Sequence, residues 1–371
     1  MPLEYYPPVT NFLDIITKHP FVVKVWSTHN VNNRAVYFNE ELKNITRSVF
    51  PKKNDNILKR FTKYCIFNLS CFLDLVIYRP EVVFYYESYS VFPVFLYLKL
   101  FGKGTRLYIH YHEYEDRENY KNGMKLVRYY HELEKKFLYE RASWISQTNK
   151  DRLHMFASDH PKLPSEVLKI MPNYPPKIWS SQVSVNGKIA KNAIRTVYVG
   201  SLSLKDTFIR EYCNWLLVFK RRITLDIFAY NMSQETKAYL ENLNAPNIRF
   251  YNDGISYDKL PNILTNYDVG LILYRGNTTN YIYNAPNKLF EYLVCGLQVW
   301  YSDTLLGMKD YESENINKID FENIPELMEI QKSFVSMSPS KKYIAEEVYS
   351  IMLKHIIESI YKDYNISESN K

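Results

Sequence analysis

The sequence predicts an α/β protein of two parallel-sheet domains in succession. Short apolar runs alternate with amphipathic helical patterns through residues 1–176, the rhythm of strand–helix–strand units. The same rhythm restarts at residue 193. Between the two lie the proline cluster Pro172-Asn173-Tyr174-Pro175-Pro176 and a polar, patternless stretch over 177–192 that reads as a linker. The length of 371 residues suits two domains of roughly 100–200 residues each. The domains are therefore expected at 1–176 and 193–340, with a terminal helix over 341–371 that joins the first.

In the first domain, Pro7-Pro8 opens a helix over 7–19. Val9, Phe12, Leu13 and Ile16 fall at i, i+3, i+4 and i+7 and face inward. A strand follows over 21–27. No strand-like apolar run precedes Pro7, so a first strand is missing from the expected alternation. In residues 52–78, Lys52, Lys53, Lys59, Arg60 and Lys63 precede a dense apolar run over 64–78. That run is shorter than the ~18–20 residues of a spanning helix. Two readings stay open: a core helix with a basic N-terminal end, or a helix that docks on an anionic membrane surface.

Strands over 81–86 and 106–112 flank a helix over 91–100, with Gly102 and Gly104 in the turn. His110 and His112 share one face of the later strand, and Glu113 ends it. Ligands of parallel sheets sit beyond the carboxyl ends of strands. The histidines admit three readings: a metal pair with no evident third ligand, satisfied core residues, or a site histidine with Glu113 as its partner. A helix over 126–140, a strand over 142–147, a helix over 150–156 and a strand over 167–171 complete the domain.

The second domain opens with a strand over 196–199, the turn Gly200-Ser201-Leu202-Ser203-Leu204-Lys205, and a helix over 206–219. A turn at a helix N-terminus suits an anion, because free N–H groups and the helix dipole point at it. Lys205 also reads as an exposed helix-entry lysine. Strands over 225–229, 248–251 and 268–274 alternate with helices over 234–243 and 257–264. Arg275 opens the loop 275–285. Residues 284–303, NAPNKLFEYLVCGLQVWYSD, then read as helix, stop and strand. Pro286 suits a first helical turn, Leu289/Leu293 and Phe290/Val294 make one side apolar, and Gly296 is the left-handed stop. Asn284, Asn287, Lys288 and Glu291 share another side, which reads either as a grip for a polyol and a phosphate or as a solvated Lys–Glu face. The part after Asp303 is less regular until an amphipathic helix over 341–361.

Residues 284–303 resemble the nucleotide-binding segment of GT-B glycosyltransferases, family 4 in particular, of the bacterial surface-polysaccharide type. Pro286, Asn287, Lys288, Leu289, Phe290, Glu291, Tyr292 and Gly296 match as they stand. The resemblance implies two Rossmann-like domains facing across a cleft. It places Glu291 on the ribose of a nucleotide-sugar, and Gly200, Ser201, Lys205 and Lys288 at the diphosphate. Gly254 and Ile255 fall at the base, and His112 near the transferred sugar. Two positions depart from the pattern: Ser201 stands where an arginine is usual, and Tyr283 where an acidic sugar contact is usual. Arg275 is the candidate for the missing cation.

The resemblance implies a retaining transfer of a sugar from a nucleoside diphosphate to a glycan or lipid-linked acceptor in surface polysaccharide synthesis, with no metal and no other cofactor. Another GT-B reaction, such as nucleotide-sugar 2-epimerisation, and a catalytically inactive partner subunit are the alternatives.

The formal charge of +7 permits anionic partners, but its basic residues cluster chiefly over 52–63, and nucleic-acid binding is not expected. The four cysteines are scattered and fit a reduced compartment. No signal peptide opens the chain, so a cytoplasmic location is expected, peripheral to the inner face of the plasma membrane if residues 52–78 dock there.

Overall fold

The computed structural model describes residues 3, 6–28, 45–48, 55–182, 193–218, 222–230, 232–243, 245–324 and 338–369. The chain divides into two compact units, Met1–Pro172 with Glu346–Lys371 and Asn173–Ala345.

Unit 1 is built on a four-stranded parallel sheet in the order β3-β4-β5-β6 (Val82–Tyr86, Arg106–Tyr111, Ala142–Gln147 and Leu168–Ile170). β1 (Val25–Thr28) and β2 (Ile45–Ser48) pair separately, also in parallel. β2 had no legible pattern, and β1 starts four residues later than the apolar run suggests. Helix α1 (Pro7–Ile16) buries Val9, Phe12 and Leu13. Helix α2 (Ile57–Tyr78) is longer than expected. The sequence reading of a run too short to span is corrected: Ile57, Leu58 and Phe61 extend the apolar composition back through the basic turn, and the helix is long and apolar enough to cross a membrane by length and composition. Lys52 and Lys53 lie outside the described residues.

The helix expected over 126–140 breaks at Glu134 into a π turn (Glu134–Leu138) and a 3₁₀ turn (Tyr139–Arg141). Glu134 is wholly buried. It accepts hydrogen bonds from Tyr85 (2.9 Å), Tyr111 (2.7 Å) and Ser88 (2.7 Å), and His131 Nδ1 lies 3.2 Å away. A buried carboxylate needs such a set, and the wider π turn carries both Glu134 and Leu138 inward. The terminal helix (Ala345–Ser369) begins four residues later than expected and packs into this unit. Tyr349 donates to the Pro8 carbonyl at 2.7 Å, and Tyr108 Oη lies 2.7 Å from His355 Nδ1.

Unit 2 is built on a six-stranded parallel sheet in the order β12-β11-β10-β7-β8-β9. In chain order these are β7 (Ile194–Ser201), β8 (Ile223–Tyr230), β9 (Ile248–Tyr251), β10 (Val269–Ile272), β11 (Gln298–Ser302) and β12 (Ile316–Ile319). Both faces are covered, so its central strands are apolar throughout. Val197 and Val199 enter one core and Tyr198 the other. β12 falls in the stretch that looked irregular. Part of the expected linker is a short helix, Ile178–Gln182, and residues 183–192 lie outside the described residues.

Candidate functional site

The helix Asn287–Val294 follows Pro286, which is extended and caps the helix instead of entering its first turn. Gly296 ends the segment with φ +73°, the left-handed stop its position predicts. The reading of a solvated Lys–Glu face is corrected. Lys288 is 8% exposed and Glu291 7%. The helix presses so closely on the sheet that a Cβ on Gly270 would lie 2.2 Å from the Tyr292 ring. Lys288 and Glu291 are drawn in with it.

Lys288 reaches the end of β7. Its Nζ lies 4.2 Å from the ring centre of Tyr198 and 4.9 Å from that of Tyr274. A Cβ on Gly200 would stand 3.3 Å from it, and Gly200 has φ +121°, which a side chain rarely tolerates. Lys288 Nζ makes no hydrogen bond among the described residues. Burial lowers its pKa to about 8, against the opposing pull of Tyr230 and Glu291. Burial raises the Glu291 carboxyl to about 7, with Lys288 opposing. A dehydrated ammonium without an acceptor is costly, and an anion above the Gly200 backbone would satisfy it. Aromatic faces offset part of that cost.

The remaining candidates are distributed differently. Ser201 is exposed at the last position of β7, opposite Tyr230 in register. Lys205 is exposed in a turn. The helix expected from 206 starts at Ile209, because Thr207 is drawn into an antiparallel bridge with Tyr274. Arg275 does not supply a loose cation: its guanidinium pairs with Glu211 at 2.5 Å and stacks on Phe208 at 4.3 Å. Gly254 has φ +63° and lies where a Cβ would meet the Tyr230 ring at 3.2 Å, while Ile255 packs on the core. Asn284 and Asn287 are half-buried.

Sequence reasoning missed the tyrosines around Lys288, and it missed Gly307. A Cβ there would lie 2.5 Å from the Tyr283 carbonyl carbon, so this glycine lets the loop before the helix pass close by. An isolated glycine after a strand was the available signal.

In unit 1, His112 follows β4. Its backbone N–H donates to Glu87 Oε1 at 2.7 Å, and its Nδ1 lies 3.5 Å from the same oxygen. Glu87 has φ +61°, strained for a residue with a side chain. Arg152 donates to the His112 carbonyl at 2.7 Å. Neither Nδ1 nor Nε2 of His112 makes a hydrogen bond among the described residues, and the ring centres of Tyr6, Tyr86 and His110 lie 5.4, 5.4 and 4.6 Å from its own. The expected partner Glu113 is exposed and instead lines a cavity of about 250 Å³ with His131, Gln147 and His160, so the carboxylate nearest the His112 ring is that of Glu87. His110 is 2.9 Å from Ser146 Oγ through Nδ1, and burial and its neighbour His112 hold its pKa well below the usual range.

No family model matches the chain, and no curated protein sequence matches it. Solved structures do. HepE of Anabaena, in complex with UDP and glucose, matches with a TM-score of 0.58 at 11% identity, over 85% of this chain and 86% of that one. Sucrose-phosphate synthase of Thermosynechococcus elongatus matches at 0.60 and 12%, over 98% and 93%. A putative UDP-N-acetylglucosamine 2-epimerase of Listeria monocytogenes matches at 0.59 and 11%, over 96% and 93%. The chain therefore has the GT-B fold, two Rossmann-like domains each carrying a parallel sheet. Likeness at this identity speaks for the fold alone.

Proposed function

We propose that the chain is a glycosyltransferase that moves a sugar from a nucleoside-diphosphate sugar to a glycan or lipid-linked acceptor, with retention, in surface polysaccharide synthesis. The observation that carries the reading is the buried Lys288 ammonium without a hydrogen-bond acceptor, set over the Gly200 backbone one helical turn from Glu291. The pyrophosphate of the donor lies on the Gly200 turn and supplies the acceptors that Lys288 lacks. Glu291 accepts from ribose hydroxyls. The bond from the anomeric carbon to the phosphate oxygen breaks, and a bond to the acceptor hydroxyl forms on the same face. The acceptor proton passes to the departing phosphate oxygen. Negative charge grows on that phosphate in the transition state, where a pre-placed ammonium in a dry site acts most strongly. UDP and UDP-glucose are the ligands in solved structures of HepE, which supports a uridine donor as the first to try.

A thermal-shift panel of UDP-, GDP-, ADP- and TDP-sugars tests the reading. One donor should stabilise the wild type by ~2.7 kcal/mol at about 100 times its dissociation constant, and Glu291→Ala should abolish the shift. A chain that responds to none of them does not bind a donor at this site.

The likeness to 2-epimerases favours one second reading, epimerisation of the nucleotide-sugar itself. Incubation with donor and no acceptor separates the two. An epimerase equilibrates the sugar, whereas a transferase leaves it intact apart from slow hydrolysis.

A further inference from the structure

We propose that α2 and the end of α3 (Val91–Leu100) form a surface that docks unit 1 flat onto an anionic lipid bilayer. The observation is an uncovered apolar stripe on a well-formed helix. α2 is capped by Asn56, whose Oδ1 accepts from Lys59 N at 2.8 Å. One side is committed inward: Asn68 and Cys71 are buried, and Phe72, Leu75 and Val76 pack on the unit 1 core. On the other side Leu58, Phe61, Ile66, Leu69, Leu73 and Ile77 are exposed, from 48% at Leu73 to 74% at Leu58. Their spacing keeps them on one side of a helix ~33 Å long at ~1.5 Å per residue. The Phe72–Phe101 ring contact, 6.2 Å, brings the end of α3 alongside and adds the exposed Leu100 and Phe101. An apolar area of this extent is unusual on a surface that faces only water.

Charge selects the occupant. Lys59 shares the side of the stripe and is exposed, as are Lys99 and Lys103 at the end of α3. The acids at α2 are already engaged, Asp55 by Lys59 and Lys63, and Asp74 by Lys24. An apolar stripe with a basic rim matches the headgroup region of an anionic bilayer. A second copy would bring the same positive rim against this one. Length and composition alone would let α2 cross a bilayer, but its inner side belongs to the core of unit 1, so it lies in the interface. All of these residues are in unit 1, and the inference does not rest on the nucleotide reading.

The test is flotation of the full chain with vesicles of phosphatidylcholine, with and without phosphatidylglycerol, at low and high salt. The chain should float with phosphatidylglycerol vesicles and less so at high salt. The double variant Leu69→Glu/Leu73→Glu should lose roughly tenfold or more of its partitioning. Lys59→Ala and Lys103→Ala should each lose about fivefold, on the anionic vesicles only. Circular dichroism should be unchanged in every variant. A folded wild type that floats with neither vesicle overturns the proposal, as does equal flotation of the double variant. A dimer in sedimentation velocity that Leu69→Glu/Leu73→Glu dissolves, without flotation of the wild type, would assign the stripe to a second copy instead.

Discussion

Lys288 keeps an ammonium where water scarcely reaches it and no acceptor meets it. Such a group is a burden on the fold that an anionic ligand relieves. Lys288→Met should therefore raise the stability of the ligand-free chain by ~1–3 kcal/mol while removing the donor-induced thermal shift. A purely structural lysine would show the reverse, loss of stability with binding intact. The pH dependence follows from the same group. Its pKa is held at about 8, below the ordinary lysine value, so the penalty on its charged form is full below pH 8 and is relieved as pH rises above it. The ligand-free wild type should gain stability relative to Lys288→Met between pH 8 and 10. Donor affinity should move the opposite way, falling about tenfold per pH unit above 8 as the ammonium is lost. On the acid side, Glu291 with a pKa of about 7 takes up a proton and ceases to be a pure acceptor. Isothermal titration from pH 6 to 9.5 should show the tightest donor binding between 7 and 8, and Lys288→Met should lack the alkaline limb.

At the scale of elements, the site depends on a strand end and a helix start meeting over one glycine. Gly200→Ala imposes a side chain at φ +121° and crowds Lys288 Nζ. A cost of about 1–3 kcal/mol is expected, read as a lower melting temperature together with weaker donor binding, because the change displaces the ammonium as well as straining the turn. The helix Asn287–Val294 and its stop at Gly296 were legible because the apolar spacing and the glycine are local signals. The burial of Lys288 was not, because Tyr198 lies within β7 and Tyr274 just past β10, far apart in sequence. The start of the helix Ile209–Val218 and the engagement of Arg275 by Glu211 escaped for the same reason: both depend on partners more than 60 residues apart in sequence. The π turn at Glu134 is the plainest example. Its hydroxyl partners Tyr85 and Ser88 lie 49 and 46 residues upstream, and a window of helical periodicity contains neither.

For the whole molecule, the two-domain α/β architecture was legible from its repeated rhythm, since parallel sheets covered on both faces demand apolar strands spaced by helices. β2 and β12 escaped because Ile45-Thr46-Arg47-Ser48 and Ile316-Asn317-Lys318-Ile319 are largely polar and carry no apolar run. Each unit owns separate hydrophobic cores, and unit 1 is completed by the terminal helix, which buries Tyr349, Met352, Leu353 and Ile356. This organisation predicts two calorimetric transitions that respond to different perturbations. Tyr349→Phe removes the hydroxyl that donates to the Pro8 carbonyl, at a cost of ~0.5–1.5 kcal/mol. It should lower one transition and leave the other, together with the donor-induced shift, where they were. Saturating donor should raise only the second transition, because every residue proposed to grip the nucleotide belongs to Asn173–Ala345. If Tyr349→Phe and the donor move the same single transition, the expectation of two separately melting units fails.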